Sequence, residues 1–153
     1  MDELVRMGVD DFGRDVFLAF TTHVTDLISI DSPTTPFVLF VGADATSLSA
    51  DMLYSVAAAV LANGAAYVAW WGPGCDRAEQ IFDEAAVGDG SATPLDVITT
   101  SHADESIFDA LEFATKSAVL EGSQTTVVVF AGNVHWYNEA QNCLEDLLGA
   151  NAG

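Results

Sequence analysis

Along this chain short, continuous apolar runs alternate with longer segments whose apolar residues recur every three or four positions. The first regular run, "FVLFVG" from Phe37 to Gly42, has the length and character of a strand buried on both faces. In the segment "SLSADMLYSVAAAVLANG" that follows, Leu48, Met52, Val56 and Val60 stand at fourfold spacing ahead of an Asn63-Gly64 stop. That spacing predicts a helix with one buried stripe. The pairing recurs three times. "AAYVAWWG" leads into Cys75 to Val87, where Ala78, Ile81, Phe82 and Ala85 share a face. "DVITTS", Asp96 to Ser101, leads into a helix over Asp104 to Glu121 with Ile107, Leu111, Ala114 and Ala118 on one side. "TTVVVFAG", Thr125 to Gly132, leads into a last helix whose Trp136, Ala140, Leu144, Leu147 and Leu148 face inward.

Four strand-to-helix units in succession imply a parallel sheet, because parallel neighbours need crossover connections and helices cover the faces. The expected fold is a single α/β domain over residues 1–153, a three-layer Rossmann-like or flavodoxin-like sandwich with a mainly parallel sheet of four or more strands. Residues 37–148 form its regular core. Residues 1–36 are an N-terminal extension and connector, added at an edge of the sheet. Within them "DVFLAFT", Asp15 to Thr21, reads as a strand, "VTDLISI", Val24 to Ile30, as an apolar run of either type, and "DSPTTP" as a connector.

Charge narrows the partners. Only Arg6, Arg14, Arg77 and Lys116 oppose 23 carboxylates, for a formal charge of −19, so the field repels nucleic acid, phosphate and anionic lipid. No nucleic-acid partner is expected. Solubility of an apolar chain, adaptation to salt and complementarity to a basic protein partner all account for the acidity. Two cysteines are too few for a disulfide framework, which points to a reducing cytoplasm. From Met52 to Cys75 there is no charged residue, a length that raises a membrane span. The interruption "ANGAA" divides it into a helix and a strand, so no membrane association is expected.

In parallel sheets ligands bind outside the carboxyl ends of the strands, which places Asp44, Trp71, Gly74, Thr100 and Asn133 on a candidate binding rim. Cys75, His102, Asp104 and His135 are the candidate catalytic residues on the same rim. Cys75 opens a helix, where free N–H groups favour a thiolate, and His102 or His135 could serve as its base. Asp76 opposes that activation, and "GPG" before Cys75 is an ordinary turn. No cofactor is expected, because "GADATS" and "GPGCDR" lack the third glycine of a dinucleotide fingerprint and no P-loop is present. Phosphoryl transfer on an aspartate is not expected either. Gly42 stands where dehalogenase-type phosphatases carry the nucleophile, and the single lysine lies within a helix. His102, Asp104 and His135 are the one grouping with metal-ligand chemistry. Asp104, with Glu105, is expected instead to complement a helix N-terminus, so no metal is expected.

The segments "WGPGCDRAEQIFDEA" and "TTSHADESIFDALEF" resemble a family of small bacterial Rossmann-like domains of unknown function, over about Phe37 to Leu148. That resemblance implies the fold and a bacterial cytosolic setting, and no catalytic residue. The sequence therefore reads first as a non-catalytic interaction or regulatory protein of immunity or inhibitor type. The alternative is a small hydrolase, or a small-molecule or metal-binding domain, working at the rim.

Overall fold

The computed structural model describes residues 2–88 and 96–149. Its strands are β1 (Val5–Val9), β2 (Asp15–Thr21), β3 (Phe37–Gly42), β4 (Ala65–Trp71), β5 (Ile98–Ser101) and β6 (Thr125–Ala131). The helices are α1 (Ala50–Ala62), α2 (Cys75–Val87), α3 (Ile107–Lys116) and α4 (Val134–Leu148), with a short 3-10 helix at Val24–Ser29. The strands form one sheet in the order β1-β2-β6-β3-β4-β5, parallel throughout except for the antiparallel pair β1 and β2.

The continuous apolar runs are explained by cover on both faces. Every residue of β3 and of β6 is buried. Alternation sends Leu39, Val41, Val127 and Val129 into one cluster with α1 and α2, and Phe40, Val128 and Phe130 into another with α3 and α4. Each such enclosed side chain contributes about 1.5–3 kcal/mol relative to exposure. The adjacent tryptophans follow the same rule. Trp70 is fully buried edge-on to Phe82, and Trp71 packs edge-on to Trp136. The uncharged stretch from Met52 to Cys75 is shared between α1 and β4, and no helix among the described residues is long and apolar enough to cross a membrane.

The structure departs from the sequence expectations at identifiable places. The buried stripe of α1 is Leu53, Val56, Ala57, Val60 and Leu61, leaving Met52 exposed. Fourfold spacing from Met52 and the i, i+3, i+4, i+7 pattern from Leu53 both fit the sequence, and packing selects the second. Helix α3 begins at Ile107, not near Asp104, because Ser106 Oγ accepts from the Asp109 N–H at 3.0 Å. It ends at Lys116, short of Glu121. Strand β5 is described from Ile98, two residues after the expected Asp96, and residues 89–95 lie outside the described part. The N-terminal segment does extend one edge of the sheet, yet it is less of an appendage than expected. Strand β2 runs parallel to β6 in register from Asp15↔Thr125 to Thr21↔Ala131, and only β1 is outermost.

The hairpin of β1 and β2 is fastened by a buried ion pair. Arg14 and Asp10 are 1% and 3% exposed, with Arg14 Nε donating to Asp10 Oδ2 at 2.7 Å. The guanidinium also donates to the carbonyls of Ala118 at 2.7 Å and Ala114 at 3.0 Å, where α3 ends. Thr126 Oγ1 completes Asp10 Oδ2 from β6 at 3.0 Å, while the N–H groups of Phe12 and Arg14 donate to Oδ1. A cation at a helix C-terminus meets the negative end of its dipole. Through Arg14 the early termination of α3 gains a structural reason, since Ala118 leaves the helix and turns its carbonyl to the guanidinium.

Candidate functional site

The carboxyl ends of the parallel strands open onto two clefts with Pro73 on the wall of both. The first, about 500 Å³, lies between β3 and β6. From β3 the chain passes through α1 to β4 on one side, while β6 lies on the other. This is a topological switch point, where crevices form because successive connections leave in opposite directions. Asp44 and Ser47 line it after β3, Gly132 and Asn133 after β6, and Thr22 and Thr25 after β2. Its apolar wall is built from Leu48, Met52 and Trp136. Asp44 Oδ1 accepts from Thr46 Oγ1 at 2.6 Å and from the Thr46 N–H at 2.9 Å. Those two bonds hold its carboxyl below the usual carboxylate range.

The second cleft, about 460 Å³, gathers Cys75, His102 and Asp104, with Trp71, Gly74 and Glu105 beside them. Gly74 takes a left-handed φ of 78° at the N-cap of α2, and Asp104 is the non-glycine residue described with positive φ, at 62°. His102 is 6% exposed, its ring 4.6 Å from that of Phe113. Both of its nitrogens are occupied: Nδ1 lies 2.9 Å from Glu105 Oε2 and Nε2 lies 3.0 Å from Thr100 Oγ1. An ionised carboxylate only accepts, which assigns a proton to Nδ1; in the neutral ring Nε2 then accepts from the Thr100 hydroxyl. Glu105 is itself positioned by its carbonyl, which receives Trp71 Nε1–H at 2.8 Å.

Cys75 is a buried free thiol whose partners do not include His102's ring. Burial pushes its pKa up and the charge of Asp76 adds to that, against the lowering effect of backbone hydrogen bonding with His102. Alkylation of Cys75 in the folded protein, with Cys143 replaced by Ser, is therefore expected to show a midpoint above the ordinary thiol value of about 8.5. Measuring the rate against pH checks this; a midpoint below 8 or so would restore the activated-thiol reading.

The expected single rim is thus divided. Asp44 and Asn133 line the first cleft; Trp71, Gly74, Cys75, His102 and Asp104 line the second. Thr100 supports His102 from β5 and lines neither. His135 is exposed in the first turn of α4, also outside both, so it does not join His102 and Asp104. Among the described residues no group of three or more His, Cys, Asp or Glu is placed to hold a metal ion. Asp104 does not cap α3, since Ser106 does. Asn133 does act as a cap, accepting from the Trp136 N–H at 3.1 Å. A side chain at Gly42 would run into the Phe130 ring, which explains why the strand-end position of a phosphatase nucleophile is glycine here. Thr22 and Thr25 escaped the sequence reading because the pairing of β2 with β6 brings them to the cleft, and no local pattern announces it.

A family model described as a domain of unknown function (DUF7684) matches residues 19–147. No curated protein and no solved structure matches the chain.

Proposed function

The chain belongs to the DUF7684 family, a domain of unknown function, and from its own residues we propose a non-catalytic interaction or regulatory domain that takes a basic protein partner. We further propose a three-layer Rossmann-like sandwich acting in a bacterial cytoplasm, a setting that the free thiols of Cys75 and Cys143 suit. One observation carries the function: the surface carboxylates have almost no cations among them. Arg14 is buried on Asp10, Arg6 is paired with Asp15 at 2.9 Å, and Arg77 reaches the Ala45 carbonyl. On α2, Asp76, Glu79 and Asp83 succeed one another beside β5. Burial raises the pKa of Glu79, Thr99 opposes the rise, and the charges of Asp83 and Asp76 add to it. Lys or Arg side chains from a partner would relieve that repulsion, which is how complementary charge speeds encounter and sets specificity.

An immunity- or inhibitor-type role is the form of this reading that a basic, potentially harmful target gives. The hydrolase alternative has less support, because His102 is engaged on both nitrogens and the Cys75 thiol is buried with a raised pKa. Affinity capture from the native host, read with the neighbouring genes, tests the proposal when run beside the variant Asp76→Asn, Glu79→Gln, Asp83→Asn. A basic protein captured at low ionic strength, released as salt rises and weakened by the triple variant is the expected result. Equal capture by both proteins at all salt concentrations would sink it.

A further inference from the structure

The cleft at the switch point has a ligand chemistry of its own, independent of the partner reading. Its one acidic side chain is Asp44, whose Oδ1 is engaged by Thr46 while Oδ2 has no partner among the described residues. The two hydrogen bonds from Thr46 keep this carboxylate ionised and fix its orientation without neutralising it. No Lys or Arg lines the cleft among the described residues; His23 is the one wall residue able to carry positive charge. An anion would enter against Asp44 and against a chain of charge −19.

The remaining wall is amphipathic. Met52 is 41% exposed and offers apolar surface to the cleft, and Trp136 is half-buried with its indole edge-on to Trp71. The hydroxyls of Thr22, Thr25 and Ser47 have no hydrogen-bond partner among the described residues, so the cleft offers groups that can shift between donor and acceptor. About 500 Å³ is the size of pockets that enclose small organic molecules. We propose that this cleft binds a small organic cation, with an amidinium, guanidinium or ammonium head on Asp44 and a flat apolar body against Trp136 and Met52. A carboxylate pairs with such a head through charge-assisted hydrogen bonds, and the indole face adds attraction for a cation or a stacked ring.

The test uses three probes of one shape and different charge: benzamidine, benzamide and benzoate. Each is titrated into the isotopically labelled full chain, following backbone amide resonances by NMR. The expected result is saturable binding of benzamidine with shifts centred on Thr22, Asp44 to Ser47 and Gly132 to Trp136. Its affinity should exceed that of benzamide by about tenfold, the scale of one hydrogen bond to a charged group, and benzoate should not bind. In Asp44→Asn, which retains an oxygen for the Thr46 bonds, the advantage of benzamidine over benzamide should shrink to about twofold or less, as for an exposed charge effect. Trp136→Leu should weaken both. An advantage that survives Asp44→Asn would show diffuse attraction to the acidic surface and overturn the assignment, as would a preference for benzoate, shifts centred on the Cys75 cleft, or no saturation. Failure of protein capture would leave this result untouched, and the reverse holds too.

Discussion

Replacing Arg14 by Met is expected to lower the unfolding free energy by about 3–5 kcal/mol, the cost of breaking a buried ion pair from one side. The loss comes less from the missing attraction than from what remains. Asp10 would keep a carboxylate with no access to water and no counter-charge, holding only the Thr126 hydroxyl and two backbone N–H groups. The carbonyls of Ala114 and Ala118 would lose their donor at the end of α3. Denaturant unfolding monitored by tryptophan fluorescence measures the change. The double variant Asp10→Asn, Arg14→Met should recover part of it, because removing both buried charges spares the uncompensated one. A loss below about 1 kcal/mol in Arg14→Met would mean that water reaches Asp10, as it does for exposed pairs. With a total stability on the order of 5–15 kcal/mol, the expected loss threatens the fold itself.

Gly72→Ala is expected to cost about 2–4 kcal/mol and to disturb both clefts together. Gly72 has a φ of 114°, and a Cβ added there would penetrate the Ala43 carbonyl oxygen. That neighbour is backbone, tied in turn by Ala43 N–H to the Trp71 carbonyl at 3.0 Å, and the next connection, Ala45 N–H to the Pro73 carbonyl, is 2.8 Å. The loops leaving β3 and β4 are thus joined where they divide the first cleft from the second. Neither can yield without moving Asp44 on one side or Cys75 on the other. Gly13→Ala is the matched control: its φ is 78°, but nothing lies within 4 Å of the added carbon. It should lose only the backbone strain, about 1–2 kcal/mol. Thermal unfolding of the two variants separates strain from collision, and equal losses would refute the close approach at Gly72. The benzamidine shifts should be altered in Gly72→Ala and unchanged in Gly13→Ala.

Much of the framework was legible because its signals are local. The runs from Phe37, Ala65 and Thr125 could be read as strands from six or seven consecutive positions, and Asn63-Gly64 marked the end of α1. Boundaries failed where two local solutions compete. Asp104 and Glu105 invite a helix start by their charge, while the hydroxyl that caps α3 at the Asp109 N–H belongs to Ser106, two residues beyond Asp104. Met52 and Leu53 both continue a helical stripe, and only burial of Leu53 in the core beneath α1 distinguishes them. Of the candidate site, the strand-end residues were legible as a set, since the carboxyl ends of parallel strands share one side of the sheet. Their division into two clefts was not.

By itself, the sequence determined the strand and helix alternation, the parallel core, the acidity and the absence of nucleotide-binding glycine patterns, all properties of composition or of neighbours along the chain. Only the tertiary structure decided which chemistry meets. It placed β6 between β2 and β3, and so brought Thr22, Asp44 and Asn133 to one crevice from three distant segments. It also gave the His102 ring to Thr100 and Glu105 and not to the Cys75 thiol, and turned Arg14 from one of four scattered cations into a buried tie between Asp10 and α3. The reason is that strand order and side-chain pairing depend on contacts between residues far apart in the chain, and hydrophobic periodicity specifies which face is buried without specifying its neighbour.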